Sequence, residues 1–253
     1  MRAEDIEALI SVGRPAIAPD GSYAAFATSR PDLTANSNVG QLWRVELPDG
    51  TPRRLTRGKA DAAPRLSPDG ARIAFTRGDA KGKPQLFVVD ATGGEPVPVT
   101  DAPLGVGDFD WSPDGSLLGF TARVPEKGRY GTVEGLEANA EAPRRITGVR
   151  WHANGLGYLA DRPAHVFVVA APQTDSEPFY EPAPAVVPDG EEAPKNQIVA
   201  AEATQLTHGD RSHSGIAFAG DESSRPSTRS SARAATCARR SWPSAPTARA
   251  SAN

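Results

Sequence analysis

PDGARIAF (residues 68–75) recurs along the chain as PDGSYAAF (19–26) and PDGSLLGF (113–120). Each copy is a Pro-Asp-Gly turn followed, after four residues, by Phe, and successive copies begin 49 and 45 residues apart. Pro presets the backbone for a turn, Asp bonds back to it and Gly accepts a positive φ, so the frame predicts a tight hairpin that leads into a strand. A strand-rich unit of this period is typical of β-propeller blades.

The strand that follows the turn is expected to be buried on both faces. Because successive side chains of a strand alternate, Ile73 and Phe75 point to one face and Ala74 to the other. If the small residue faces a neighbouring sheet, both faces are covered. The alternation therefore predicts that the sheets stack on one another.

Each unit continues beyond its hairpin. QLWRVEL (41–47) and QLFVVD (85–90) follow the first two frames, and closing pairs at 55–56 and 99–100 begin 14 residues after the Gln of each. Together with the strand before the turn, these segments predict four antiparallel strands per unit, which is one propeller blade.

A fourth blade is expected in altered form. WHANG (151–155) keeps the Trp-to-Gly spacing of residues 111–115, and HVFVVA (165–170) with QLT (205–207) would supply the later strands. Residues 124–143 before it are then a long surface loop or an irregular hairpin. A Pro- and Glu-rich stretch, 171–195, is read in the same way.

A fifth blade is predicted to begin with a strand at 215–218 and a turn at 220–222. The fold class is therefore all-β, a partial β-propeller of about four to five four-stranded blades with SPDG-type repeats over residues 14–222. Residues 1–13, MRAEDIEALISVG, are predicted to form a short amphipathic helix. Residues 223–253 are predicted to be a disordered tail.

The tail differs sharply from the rest of the chain. Of its 31 residues, 22 are Ser, Ala or Arg; it carries six Arg and no acidic residue, whereas residues 1–222 carry 22 basic and 31 acidic groups. Such a segment cannot bury enough apolar surface to offset its ordering entropy. A reading-frame shift in a GC-rich gene would produce this composition, and we favour that hypothesis over a basic arm for nucleic acid, which would need Lys and interleaved aromatic residues.

Composition argues against several other classes of protein. The sequence has no apolar run of 18 residues and no charged-then-apolar leader, so we expect a cytoplasmic protein without a membrane partner. Cys237 is the only cysteine, which leaves neither a disulfide framework nor a thiolate metal site.

Candidates for chemistry are few. His208, Asp210 and His213 lie together in THGDRSH, and a His pair with a carboxylate can bind zinc, but the spacing matches no standard motif and the segment falls between blades. His152 replaces the Ser of a turn, and His165 stands where the other units have Gln. We predict no catalytic, cofactor-binding or metal-binding residue and no cofactor. The repeated turn aspartates are interpreted as structural because each unit has one, at Asp20, Asp69 and Asp114.

The order of these segments resembles the N-terminal propeller of the prolyl oligopeptidase family, closest to its acylaminoacyl-peptidase and dipeptidyl-aminopeptidase-like bacterial members. The resemblance covers about residues 1–222. The SPDG units are shared with other propellers such as TolB, so the stretch APRRITGVRWHANGLGYLADRPAHVFVV (142–169) is what favours the peptidases.

That resemblance implies a propeller, usually of seven blades, that covers a C-terminal α/β-hydrolase domain and restricts entry to short peptides. The hydrolase would supply a Ser on a G-x-S-x-G elbow, then Asp and His in chain order. No Ser in this sequence has Gly two residues before it, so no catalytic residue can be carried over and the chain alone is expected to be inactive.

Two functions are compatible with these features. One is the substrate-gating propeller of a serine peptidase acting on short or N-acylated peptides, truncated before its hydrolase domain. The other is a stand-alone TolB-like or WD-repeat-like propeller that binds proteins. Fewer than seven blades would leave the ring open, so we also expect self-association through the open edge.

Overall fold

The computed structural model describes residues 2–149, 151–154, 156–175 and 200–218. Its regular structure is antiparallel β-strand apart from two 3-10 helices, Ala3–Ala8 and Ala138–Ala140. The strands form three sheets of four or five strands and one separate hairpin. The predicted all-β, partial-propeller class is confirmed.

Blade one is a sheet of five strands in which β1, β3, β4 and β5 follow one another and β2 also pairs with β3. Its centre is the ten-residue ladder between β3 and β4, where Phe26 lies opposite Trp43. The strands are β1 (Ser11–Val12), β2 (Ala16–Ile17), β3 (Tyr23–Asp32), β4 (Ser37–Glu46) and β5 (Arg53–Arg54).

Blade two has four strands in chain order. Phe75 lies opposite Phe87 across its two central strands, as Phe26 lies opposite Trp43 in blade one. The strands are β6 (Asp61–Leu66), β7 (Arg72–Gly78), β8 (Pro84–Asp90) and β9 (Val97–Pro98).

Blade three takes the strands that were predicted to complete a fourth blade. The order of its sheet is β10-β11-β14-β15, and β11 pairs with β14 over seven residues, with Phe120 opposite Phe167. Trp151 is not the start of a new blade, because β12 and β13 form a small hairpin of their own. The strands are β10 (Val106–Trp111), β11 (Leu117–Arg123), β12 (His152–Ala153), β13 (Gly157–Tyr158), β14 (Ala164–Ala170) and β15 (Thr204–Gln205).

The fourth-blade prediction was therefore wrong, and the described residues form three blades. The long connection between β11 and β14, residues 124–163, contains a Trp-x-x-Asn hairpin that imitates the spacing of a blade turn. Ladder pairing decides the assignment, since the phenylalanine pair fixes β14 beside β11.

Two further boundaries differ from expectation. The N-terminal segment is a 3-10 helix that ends at Ala8, and Ser11–Val12 pairs with β3 instead of continuing a helix to residue 13. Residues 215–218 form no strand, although Phe218 and Ile216 pack over Gly119 of β11. The predicted turn at 220–222 and the tail at 223–253 lie outside the described residues.

The three Pro-Asp-Gly turns share one geometry. Each Gly has a positive φ near +70°, which glycine adopts without strain, and its N–H donates to the carbonyl three residues earlier at 2.9 Å. Each Asp accepts the N–H two residues later at 3.0 Å. The turns are centred on Asp20-Gly21, Asp69-Gly70 and Asp114-Gly115, so the aspartates are committed to backbone hydrogen bonds.

A threonine fixes the closing end of each blade. Its hydroxyl accepts the N–H of a residue in the strand before the last strand of the blade, at 2.9–3.0 Å. The three pairs are Leu42 with Thr56, Leu86 with Thr100 and Val166 with Thr207. The third pair places residues 205–207 in blade three together with β14.

The core lies between the sheets in two layers. Ile73 and Phe75 belong to the layer shared with blade one, whereas Ala74 belongs to the layer shared with blade three. All three side chains have no exposed surface. The prediction that β7 is buried on both faces is confirmed.

No helix in the described part of the chain is long and apolar enough to cross a membrane.

Candidate functional site

The two ends of the blades differ in what they carry. The Pro-Asp-Gly turns lie at one end, and the connections between the second and third long strands lie at the other, because consecutive antiparallel strands reverse direction. In blade two that connection is residues 79–83, and in blade three it is residues 124–163. We call the latter the insertion and the end that carries it the insertion end.

A buried ionic network organises the insertion. The carboxylate of Asp161, a residue that is 5% exposed, accepts hydrogen bonds from Arg144 Nε at 2.7 Å and from the Tyr130 hydroxyl at 3.0 Å. Arg144 also donates to Glu141 at 3.0 Å. Arg129 lies 3.7 Å from both carboxylates. The network ties three separate parts of the insertion together, residues 129–130, 141–144 and 161.

The charges of Asp161 and Arg144 are fixed at neutral pH. Burial raises the pKa of Asp161, but the hydrogen bonds from Arg144 and Tyr130 outweigh it and hold the pKa below its ordinary value. The bond to Asp161 raises the pKa of Arg144 above its already high value, and burial raises the pKa of Tyr130. The network is therefore an anchor for the insertion and not an acid–base pair.

An open cavity of about 600 Å³ lies beside the network. Glu134, Glu137, Glu141 and Arg144 are among the residues of its wall. Glu141 and Arg144 are already paired with each other, so two of the charged groups in the wall also belong to the ionic network.

The hairpin of the insertion exposes apolar side chains. Val149 is 97% exposed and Ile146 51%, and the rings of Trp151 and Tyr158 lie 5.5 Å apart with more than a third of each residue exposed. Arg144 lies over the Tyr158 ring at 4.4 Å, which connects this group to the ionic network. We call these four residues with Leu156, which is 49% exposed, the apolar rim.

Two of the candidate metal-binding residues do come close to a third imidazole. The ring of His165 lies 6.0 Å from that of His213 and 6.5 Å from that of His208. Within the described ranges, however, no group of three or more His, Cys, Asp or Glu side chains is placed to hold a metal ion. Asp210 does not complete such a group, and the prediction of no metal site stays a prediction.

The remaining candidates have structural surroundings. His152 is exposed on β12, with its ring 5.3 Å from that of Trp151 and 6.1 Å from that of Tyr158. Cys237 lies outside the described residues. The prediction that the chain holds no catalytic residue is not tested by these contacts.

Sequence reasoning missed the ionic network. Its members lie between residues 129 and 161 at irregular spacing, so no periodic pattern connects them. The only available signal was the type of residue. The segments GRYG, PRR and LADRP place Arg, Tyr and Asp, which can form ion pairs and hydrogen bonds, in a stretch predicted to be a loop followed by a blade.

No protein-family profile matches the sequence. A peptidase of Bacillus subtilis named YuxL is 32% identical over 169 residues, which are 66% of this chain and 26% of that protein. Dipeptidyl-peptidase 5 of Porphyromonas endodontalis is 31% identical over 126 residues, which are 49% of this chain and 18% of that enzyme. The chain thus spans about a quarter or less of the length of these relatives.

Solved structures give the same fold. An acylaminoacyl peptidase in complex with Z-Gly-Gly-Phe-chloromethyl ketone matches with a TM-score of 0.50 and 18% identity, over 65% of this chain and 23% of that one. At this identity the likeness shows the fold alone. Together with the three blades, it confirms that the chain has a β-propeller fold, and the sequence relatives of the chain are peptidases.

Proposed function

We propose that the chain is the part of a peptidase that controls access of peptides to a catalytic domain carried elsewhere in the protein. The observation that carries this proposal is the 32% identity to the peptidase YuxL over 66% of the chain. The substrates of the proposed peptidase would be short or N-acylated peptides, and the partner of this chain would be the hydrolase domain. A cytoplasmic location is part of the same proposal.

The insertion end supports this role. A gate must be rigid enough to exclude large substrates, and the Asp161 network supplies that rigidity. A gate must also bind a peptide, whose backbone carries both hydrogen-bond donors and acceptors. The cavity beside Glu134 and Arg144 offers a carboxylate acceptor and a guanidinium donor for such a backbone. The apolar rim adds a surface for apolar side chains.

A chimaera tests this proposal. The matching segment of YuxL would be replaced by this chain's described blades, and in a second chimaera the insertion would be replaced by the short connection DAKGK (79–83), which joins the equivalent strands of blade two. The measurement is kcat/KM for a chromogenic dipeptide and for a long unstructured peptide.

We expect the shortened chimaera to gain activity on the long peptide relative to the dipeptide, because the gate is gone. Ser116→Ala, at the opposite end of blade three, is the control and should leave that ratio unchanged. An unchanged ratio in a folded, active shortened chimaera would show that the insertion does not control access.

A further inference from the structure

Blade two closes with a glutamine clasp. Gln85 Oε1 accepts the hydroxyl of Thr100 at 2.9 Å and the N–H of Ala102 at 2.9 Å, and its Nε2 donates to the Ala102 carbonyl at 2.8 Å. Gln85 stands two residues before Phe87 of the central aromatic pair. The clasp therefore holds the start of β8 to the chain segment that leaves the blade.

Blade three places an imidazole in the same position. His165 stands two residues before Phe167, its Nδ1 lies 3.4 Å from the hydroxyl of Thr207, and the residue is 3% exposed. It also bonds to the backbone of Gly209, which follows Thr207 by two residues as Ala102 follows Thr100. Because that bond favours the charged ring, the ring N–H is the donor and the carbonyl the acceptor.

A neutral imidazole can satisfy both partners. It has one N–H, which serves the Gly209 carbonyl, and one bare nitrogen, which accepts the Thr207 hydroxyl. The hydroxyl oxygen of Thr207 accepts the Val166 N–H at 2.9 Å at the same time. Protonation of the bare nitrogen would leave the hydroxyl proton without its acceptor.

The segment that leaves blade three is also held beside this contact by backbone hydrogen bonds and packing. The His213 N–H donates to the Ala164 carbonyl at 2.8 Å, and the Ala164 N–H donates to the Ser212 hydroxyl at 3.1 Å. Further along, Ile216 and Phe218 pack over Gly119. Residues 208–218 are thus docked on blade three beside His165.

We propose that His165, which lies beside His208 and His213, is an acid-sensitive clasp that holds residues 208–218 against blade three when its imidazole is neutral and releases them when that imidazole is protonated. Blade two, with Gln85 in the equivalent position, has no such response. The proposal does not depend on the peptidase role.

The surroundings of the clasp oppose positive charge. The charged or titratable groups that act on His165 are His208 and His213 from the departing segment, and both oppose its protonation. On the neighbouring strand β11, Ala122 is its partner, and the guanidinium of the next residue, Arg123, donates to the Arg162 carbonyl.

One carboxylate lies near the edge of this group. His213 shares a cavity of about 290 Å³ with Asp108 and Arg123. Asp108 already forms a salt bridge with Arg65 of blade two at 2.7 Å, so that guanidinium largely balances its negative charge.

The pH window follows from these contacts. Burial, then His213 and His208, lower the pKa of His165 below its ordinary value of 6.5. The released or unfolded segment therefore binds the proton more readily than the docked one. Docking is fully stable above pH 6.5 and weakens as the pH falls from 6.5 towards the lowered value.

Hydrogen exchange of the full chain tests the clasp, in EDTA to exclude adventitious metal. The readouts are the amides of Val166 and Leu206 in blade three and of Leu86 and Val99 in blade two, which make equivalent hydrogen bonds. Between about pH 7.5 and about pH 5, after correction for intrinsic exchange, protection should fall in blade three and stay constant in blade two.

His165→Gln should abolish the loss, because glutamine is the residue that blade two uses. His152→Gln, which changes an exposed histidine, should retain it. If His165→Gln fails to fold, the double variant H208Q/H213Q provides the second test. Because the two imidazoles that oppose protonation of His165 are then absent, the docked His165 binds a proton more readily and the loss of protection should become smaller. Equal loss in both blades, or a loss that persists in His165→Gln, would overturn the proposal.

Discussion

One threonine hydroxyl forms a hydrogen bond at the closing end of each blade, and removing it should destabilise that blade. Thr100 is buried, and its hydroxyl both accepts the Leu86 N–H and donates to Gln85. A single side chain thus satisfies two buried groups in the interior of blade two. Since buried polar groups must be paired, this residue is a sensitive position.

Thr100→Val should lower the free energy of unfolding by about 1–3 kcal/mol, because the buried Leu86 N–H loses its acceptor while the volume is preserved. Urea denaturation measures the change. Thr76→Val is the matched control: that hydroxyl donates only to an exposed carbonyl, at 3.2 Å, and its loss should cost less than about 0.5 kcal/mol. Equal costs would contradict the role given to Thr100.

The turn glycines are a second sensitive class. Gly70 has a φ of +71°, and an added Cβ would lie 3.1 Å from Pro19 Cδ of the neighbouring turn. Gly70→Ala should therefore cost about 1–2 kcal/mol. Thermal melts of both variants measure the change. Gly148→Ala, where the added Cβ meets open space and φ is not positive, should leave the free energy of unfolding almost unchanged.

Single residues also show what the sequence could predict. The structural role of the turn aspartates follows from their recurrence, and all three accept the same backbone hydrogen bond. The hydrogen bond from Ser112 is the largest of those that lower the pKa of Asp114 to about 2, so this turn loses its charged acceptor only in strong acid. The Asp161 network could not be predicted, because its partners come from distant points of an irregular segment.

At the scale of elements, strand pairing decided what spacing could not. The first two blades follow the repeat closely, so their strands were predictable from the Pro-Asp-Gly frames. In blade three the insertion separates β11 from β14, and the rings of Phe120 and Phe167 stack at 5.3 Å across that gap. Counting residues from the last turn assigned β14 to the wrong blade because nothing in the count marks an insertion.

The insertion should open before the blades when its network is broken. Asp161→Asn removes one of the two buried carboxylate charges that face Arg144 and Arg129 and leaves Glu141 as the other. We expect this change to destabilise the insertion by about 2–3 kcal/mol, less than the full loss of a buried pair, because Glu141 remains and Arg144 is a quarter exposed. Limited proteolysis should then cut first within residues 124–163. Glu126→Gln, whose carboxylate is 58% exposed, is the control and should not change the cleavage order.

Lowering the pH should also weaken the Asp161 network and so open the insertion. Because the pKa of Asp161 is held below its ordinary value of 3.8, its contribution is complete above that pH and is lost as the pH falls through the lowered value. Wild-type cleavage within the insertion should increase in that range, measured with an acid-active protease. A constant cleavage rate would contradict the anchoring role.

At the scale of the whole molecule, the sheets stack through shared apolar layers, and blade one has only one such layer within the described residues. Ile10, Val12 and Ile17 near its first strands are 61–66% exposed. In a ring of blades, each sheet is covered on both sides by its neighbours. These side chains are therefore where we expect a second copy to pack.

Self-association should rise with concentration in light scattering, and Ile17→Ser should reduce it by removing apolar surface from this face. Leu33→Ser, which changes a comparably exposed residue in the β3–β4 connection, is the control and should have little effect. A monodisperse monomer at all concentrations, with a single cooperative melt, would contradict the prediction and favour a stand-alone binding propeller.

We propose that this chain contributes access control and not catalysis. Hydrolysis of N-blocked aminoacyl chromogenic substrates by the purified chain tests it most directly, with YuxL as the reference protein. We predict no turnover above the buffer rate, because the sequence has no Ser in a G-x-S-x-G elbow. Hydrolysis that follows the chain through successive purification steps would contradict the claim and show that a catalytic group lies within these residues.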